Sequence, residues 1–269
     1  MVDLAVKILA SMLNKWQDDS FDVLVIGVLE EIYECLENVS IEENVNKLLA
    51  WFTKALVMRN SKYGIDLICV MCKRLITVKS LATNFAILLH DNEVLCSQND
   101  CRISLLYRQK ITMNCLKEIL ESRKNDRKLQ YNVAILNLLI YLPQQLFVLY
   151  FKEVIEVIIE CLDSNIPFLC LMALKKIEYI VINEKELFVT YLSDITPILL
   201  KLTASDSMEV RLSALKCLEY IMDSPTHLVT PFKVRVIHGL AKCLDDPKRL
   251  VRTQAIKTRL AWYKCGNDR

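Results

Sequence analysis

The sequence predicts an all-α fold, a solenoid of about six helix pairs stacked in a curved superhelix. Three observations predict it. Apolar classes recur at a fixed step of 41 residues: Ala173, Ala214 and Ala255; Leu169, Val210 and Val251; Leu174, Leu215 and Ile256; and, in the preceding helices, Ile158, Leu199 and Leu240. Glycine occurs only 4 times and proline 6 times in 269 residues. That is too little turn chemistry for a sandwich, a barrel or a nucleotide-binding α/β fold. Within each step the apolar residues fall at i, i+3, i+4 spacing, the signature of amphipathic helices.

The step length lies in the range of HEAT and armadillo units. One such pair cannot bury its apolar face alone, so the pairs must stack, and the small alanine lets neighbouring helices approach closely.

In chain order, residues 2–16 read as a helix whose apolar positions cover more than one stripe. A terminal cap needs a polar outer face, so a further repeat is expected to precede it in the native protein. Asp18-Asp19-Ser20 makes a turn and a second helix runs to about Asn38. Ser40 is expected to cap the third helix, with Glu43 completing a capping box, and that helix ends near Asn60. Ser61 starts its partner, which runs to about Thr77.

Residues 78–100 break the rhythm, with a short helix over 80–90 and a polar run at 96–100. This irregular segment separates an N-terminal part of the stack, 1–100, from the C-terminal repeats, 101–269. A long helix follows from Arg102 to Arg123, then a charged turn, then a helix from Leu129 to Leu142 stopped by Pro143. The three clearest repeats occupy 145–183, 185–223 and 229–264. Pro197 falls inside a helix and is expected to kink it.

The last pair runs from Pro231 to Tyr263. Val234, Val236, Ile237, Leu240, Ala241 and Leu244 line its first helix. Asp245-Asp246-Pro247 makes the turn, where acids can accept from free amides and proline suits the first helical position. Leu250, Val251, Ala255, Ile256 and Trp262 are the expected buried set of the second helix, which serves as the C-terminal cap.

Composition narrows the function classes. Hydrophobic content is 53%, yet no apolar run approaches the roughly 18 to 20 residues of a membrane helix; the richest, Val133 to Leu142, is cut by Asn137. Asp3 and Lys7 interrupt any signal-peptide pattern. Eleven cysteines at irregular, mostly apolar spacing are expected as reduced thiols in a cytoplasmic or nuclear protein. Net charge is +2 but unevenly placed. Residues 1–60 hold five basic and ten acidic side chains, and residues 231–269 hold ten basic and three acidic ones. The two ends are therefore suited to different partners, or the chain carries an electrostatic gradient.

No catalytic constellation is visible. Cys69 and Cys72 form the single CxxC. A cluster carrier would need Cys96 and Cys101 to converge on them, whereas cysteine at these spacings also packs as a small apolar residue. His90, His227 and His238 show no i, i+4 pairing. No phosphate-cradling glycine motif exists, and no metal or other cofactor is expected.

Arg211 and Arg252 share one repeat position just after the apolar valine. They are expected to form a structural ladder with turn acids, for which Asp206, Asp245 and Asp246 are available. The alternative is a partner carboxylate bound by two parallel hydrogen bonds. Basic residues cluster at Lys248, Arg249 and Arg252, and at Arg102, Tyr107, Arg108 and Lys110. These read either as solvated faces or as docking surfaces for an acidic protein partner; Tyr107 suits the core as well as a contact. Direct nucleic-acid binding would need a longer basic stripe.

LDDPKRLVRTQA at 244–255, MEVRLSALKCL at 208–218, RISLLYRQK at 102–110 and the closing Ala261-Trp262-Tyr263 together resemble the C-terminal domain of the Mms-nineteen family. These are nucleotide excision repair homologues and HEAT-repeat subunits of the cytosolic iron–sulfur assembly targeting complex. The resemblance runs from about residue 80 to the C-terminus. Pro247 and Cys265-Gly266 depart from the family pattern.

The resemblance implies a non-enzymatic scaffold. It would dock a small iron–sulfur assembly adaptor and a β-propeller subunit. Client apoproteins such as DNA polymerases, helicases and primases would then receive clusters from the complex. Links to TFIIH, to the mitotic spindle and to chromosome segregation come with the family. A HEAT scaffold for nuclear transport or microtubules is the rival within the same fold, and a cysteine-ligated cluster carrier the rival outside it.

Overall fold

A computed structural model describes residues 2–266 except 19, 37–38, 91–93, 97–98, 102, 127 and 141. Among the described residues the chain is helical throughout, with no strand. Packed helix pairs of the HEAT-like kind build it, in two compact units, Met1–Glu153 and Val154–Arg269.

The first unit holds α1 (Val2–Lys15), α2 (Phe21–Cys35), α3 (Glu42–Met58), α4 (Lys62–Arg74), α5 (Leu81–Leu89), α6 (Leu105–Ile111), α7 (Lys117–Asn125), α8 (Leu129–Leu139) and α9 (Gln144–Leu149). α3 is its hub and packs against α1, α4 and α5. Leu49, Ala50, Trp51, Phe52, Ala55 and Leu56 are all buried; a helix apolar around its circumference belongs inside. Lys54 is buried among them. Its ammonium donates to the His90 carbonyl and lies 5.6 Å from the Trp51 ring centroid, so the charge is not left bare.

Arg59, following α3, donates to the Leu13 and Asn14 carbonyls at 3.1 Å each and to that of Trp16. These are the end carbonyls of α1, which have no helical partner of their own. Where α4 crosses α3, a Cβ on Gly64 would lie 2.7 Å from both the Val57 amide and its Cγ2, so this crossing requires glycine.

Two local expectations are corrected. α3 begins at Glu42 with Ile41 in the N-cap position, because a 3-10 turn over Val39–Ile41 draws Ser40 into the preceding turn. The long helix expected from 102 to 123 begins at Leu105 instead, where Ser104 Oγ accepts from the Tyr107 amide at 3.1 Å. It also carries a π-helical turn over Thr112–Leu116 between α6 and α7. α5 fills the predicted short helix; part of the polar run after it lies outside the described residues.

The second unit holds most of α10 (Phe151–Asp163), then α11 (Pro167–Asn183), α12 (Lys185–Val189), α13 (Leu192–Leu202), α14 (Met208–Tyr220), α15 (Thr226–Val229), α16 (Lys233–Gly239) and α17 (Arg249–Lys264). α14 packs against both α11 and α17. The alanines of the 41-residue step, Ala173, Ala214 and Ala255, are fully buried, as are Ile158, Leu199 and Leu240. Pro197 stands inside α13, where it lacks the amide that would bond the Ser193 carbonyl. The first helix of the last pair is shorter than expected: α16 ends at Gly239 and Leu240–Asp245 continues as a 3-10 helix.

The expected buried set of α17 is right for Val251, Ala255 and Trp262 and wrong for Leu250 and Ile256, which are 61% and 50% exposed. Leu174 and Leu215, at the same repeat position as Ile256, are buried. The helices carrying them pack against α14 and α17 in turn, and among the described residues no further helix covers α17. Val234 at the start of α16 is also exposed. Trp262 closes the unit from within, its Nε1 donating to the Leu218 carbonyl at 2.8 Å.

Candidate functional site

The turn edge of the second unit gathers most of the predicted residues. A cleft of about 770 Å³ opens there, lined by the 203–206 turn, Arg211, the exposed His238 and Lys242, and the 245–248 turn. Its geometry follows from the repeat: two successive turns lie side by side because their helices α14 and α17 do.

Asp246 is the hub of this edge. Its Oδ2 lies 2.8 Å from Arg211 Nε, and its Oδ1 accepts from Arg211 Nη2 at 3.3 Å and from the Lys248 amide at 2.8 Å. Its backbone carbonyl accepts from Arg252 Nη1 at 2.6 Å, and Arg252 also donates to the Pro247 carbonyl. Burial pushes the Asp246 pKa up, but the Lys248 amide and the Arg211 guanidinium outweigh it and hold the carboxyl below its ordinary value. Arg211 Nη1 donates to the Ser205 and Asp206 carbonyls at 2.8 and 3.0 Å. Asp206 therefore serves Arg211 with its backbone carbonyl. Asp245 is exposed on the rim.

Lys248 and Arg249 stand exposed at the start of α17, while Arg252 is half-buried. The edge thus has an inner layer, Arg211, Asp246 and Arg252, tied down by carbonyls and charge. Its outer layer, Lys242, Lys248 and Arg249, faces water. Sequence reading did not single out Lys242 and set His238 aside as unpaired; both precede the 245–248 turn by one helical turn or two.

The second predicted cluster is placed differently. Arg102 lies outside the described residues. Tyr107 is buried, and its hydroxyl donates to the Leu88 carbonyl. Burial pushes that hydroxyl well above its ordinary pKa. A ring so placed offers no surface to a partner, so Tyr107 is set aside from the docking set. Arg108 and Lys110 are half-buried, and Lys110 Nζ donates to Asn60 Oδ1.

The cysteines do not converge as a carrier would need. A hydrogen bond with the Cys115 thiol of the π turn, together with burial, pushes the Cys72 thiol far up. Cys101 donates to Asn14 Oδ1 at 3.3 Å. All eleven cysteines are free thiols. Among the described residues no three His, Cys, Asp or Glu side chains group as metal ligands, and no helix is long and apolar enough to cross a membrane.

An all-α stack of packed helix pairs with a charged turn edge defines a helical-repeat protein of the HEAT-like class. The chain belongs to the MMS19 nucleotide excision repair protein family: residues 3–222 match the family described as RNAPII transcription regulator C-terminal. The match takes in residues 3–79 and the motifs at 102–110 and 208–218, and ends before those at 244–255 and 261–263.

The MMS19 nucleotide excision repair protein homolog of Xenopus tropicalis is 29% identical over 98% of this chain and 26% of its own length. The DNA repair/transcription protein mms19 of Schizosaccharomyces pombe is 29% identical over 96% of this chain and 27% of its own. The MMS19 nucleotide excision repair protein of Drosophila melanogaster is 57% identical over 42 residues. The chain thus spans about a quarter of the length of the full-span relatives. Among solved structures, an engineered protein superposes with a TM-score of 0.58 at 16% identity, covering 88% of this chain and 97% of that one. That likeness concerns the fold.

Proposed function

We propose that this chain is a protein-docking module of the cytosolic iron–sulfur assembly targeting complex. It holds a small assembly adaptor and a β-propeller subunit so that clusters reach apoproteins of DNA replication, repair and transcription, DNA polymerases and helicases among them. TFIIH components belong to the same set of partners. The observation that carries the reading is the family match over most of the chain. The solvent-facing cations Lys248 and Arg249 support it, since a repeat protein offers extended surfaces with arginine among its usual anchors. The reading places the chain in cytoplasm and nucleus, and at the spindle in mitosis.

Size-exclusion chromatography of the chain with the purified adaptor and propeller subunit tests it. A stable co-eluting complex at moderate salt is expected. Separate elution of all three, with binding to a Ran-type GTPase or to tubulin instead, would replace this reading with a transport or microtubule scaffold.

A further inference from the structure

Helix α17 has two faces. Val251, Ala255, Thr258 and Trp262 are buried within the unit. On the opposite side Arg249, Thr253, Ile256, Leu260 and Tyr263 follow one another at alternating steps of four and three, the spacing of a coiled-coil seam. Ile256, Leu260 and Tyr263 are each about half exposed. At the same repeat position Leu174 and Leu215 are sealed under neighbouring helices.

The positions flanking such a seam set partner choice by charge. Here they are Arg252 and Arg259 on one side and Lys257 and Lys264 on the other. α17 contains five basic residues and no acidic one. Arg252 is held by the Asp246 and Pro247 carbonyls, and Arg259 Nε by the Ile237 carbonyl at 3.2 Å. Carbonyls orient those guanidinium groups, and the nearby Asp246 carboxylate, already paired with Arg211, offsets the Arg252 charge only in part. Glu219 faces Lys257 at 2.9 Å from the neighbouring helix. A second copy is a poor occupant, because pairing α17 with itself brings cations against cations on both flanks.

We propose that this face docks an amphipathic helix of a partner protein, aliphatic along its own seam and acidic on both flanks. The proposal rests on the docking reading above and names the chemistry of the partner. The partner helix lies along α17 as α17 lies along α14, covering Ile256, Leu260 and Tyr263. Its carboxylates meet Arg252, Arg259, Lys257 and Lys264.

The test titrates the chain with two labelled three-heptad helical peptides. Both carry leucine along the seam; one has glutamate on both flanks, the other lysine. The glutamate peptide should bind about tenfold or more tightly than the lysine peptide, and salt should weaken it. Leu260→Asp, at an exposed position, should abolish binding while helical circular dichroism is kept. Lys257→Glu with Lys264→Glu, which leaves the apolar seam intact, should cancel the preference. Absent binding of the glutamate peptide, equal binding of both peptides, or full binding by Leu260→Asp overturns the proposal. A chain that fails with the peptides yet co-elutes with the adaptor and propeller subunit loses this inference alone and keeps the docking reading.

Discussion

Arg211, at the start of α14, and Asp246, in the turn before α17, meet across 2.8 Å, with side chains only 11% and 8% exposed. The pair stitches one helix pair to the next where the cleft opens. Asp246→Asn should therefore lower stability by about 1–3 kcal/mol, since it leaves a guanidinium short of its partner. The effect depends on pH in a defined sense. The Asp246 pKa is depressed in the folded chain, so its contribution is present above the unfolded value and is lost as pH falls through the folded one. Urea unfolding of the two chains should differ at neutral pH and converge below the ordinary aspartate range.

Where the charged Asp246 supports the fold, the charged Lys176 opposes it. Burial lowers its pKa to about 8, with Glu184 offsetting part of the effect, and its ammonium lies 4.3 Å from the Tyr179 ring centroid. The folded chain binds the proton less tightly than the unfolded one, so stability rises with pH between about 8 and 10.5. Lys176→Met should raise stability at neutral pH, on the order of 1–3 kcal/mol. The gain should shrink as pH climbs through that window, read from paired urea titrations.

Trp262 fills the end of the second unit and is fully buried. Trp262→Ala should cost about 3–5 kcal/mol through the cavity it leaves. Trp262→Phe keeps most of the packing but strands the Leu218 carbonyl, a loss of about 1–2 kcal/mol. Denaturant midpoints of the two variants should keep that order.

Gly64 marks a close helix crossing in the first unit. Gly64→Ala would gain helix propensity on an exposed helix, yet here its Cβ meets backbone 2.7 Å away. The variant should be destabilised by about 1–3 kcal/mol, visible as a lower melting temperature. An unchanged or raised value would mean that α4 can shift off α3.

Charge reversal of Lys248 and Arg249 should weaken a pull-down of the adaptor while helical circular dichroism stays intact. Both side chains face water at the cleft rim, so folding has little stake in them. Unchanged binding removes the two residues from the docking set.

The repeat was legible in the sequence because packing leaves a periodic trace: Ala173, Ala214 and Ala255 sit at one spacing since each faces the same kind of neighbour. The helix ends were less legible. Ser40 has cap chemistry, but a 3-10 turn of ordinary residues moves the start past it, and nothing in VSIEE announces that turn. The π turn at Thr112–Leu116 adds one residue to a helix without disturbing its apolar pattern. At the site, Arg211 and Arg252 were legible as one repeat position and Asp246 as a turn acid within their reach. Tyr107 was not, since an amphipathic ring inside a helix carries no mark of whether its hydroxyl finds a carbonyl or water. Ile256 misled for a related reason: its apolar class repeats faithfully, but burial belongs to the neighbour that covers a residue.

The free thiols give the chain a use of its own. Nine of the eleven are buried, and Cys35 and Cys69 are partly open. An alkylating reagent should mark those two from the native state and reach each of the others only when the helices around it part. Because the nine are spread from α4 to the residue after α17, their order of reaction times the breaking of the stack, helix by helix. The chain thereby carries an internal record of which of its layers opens first.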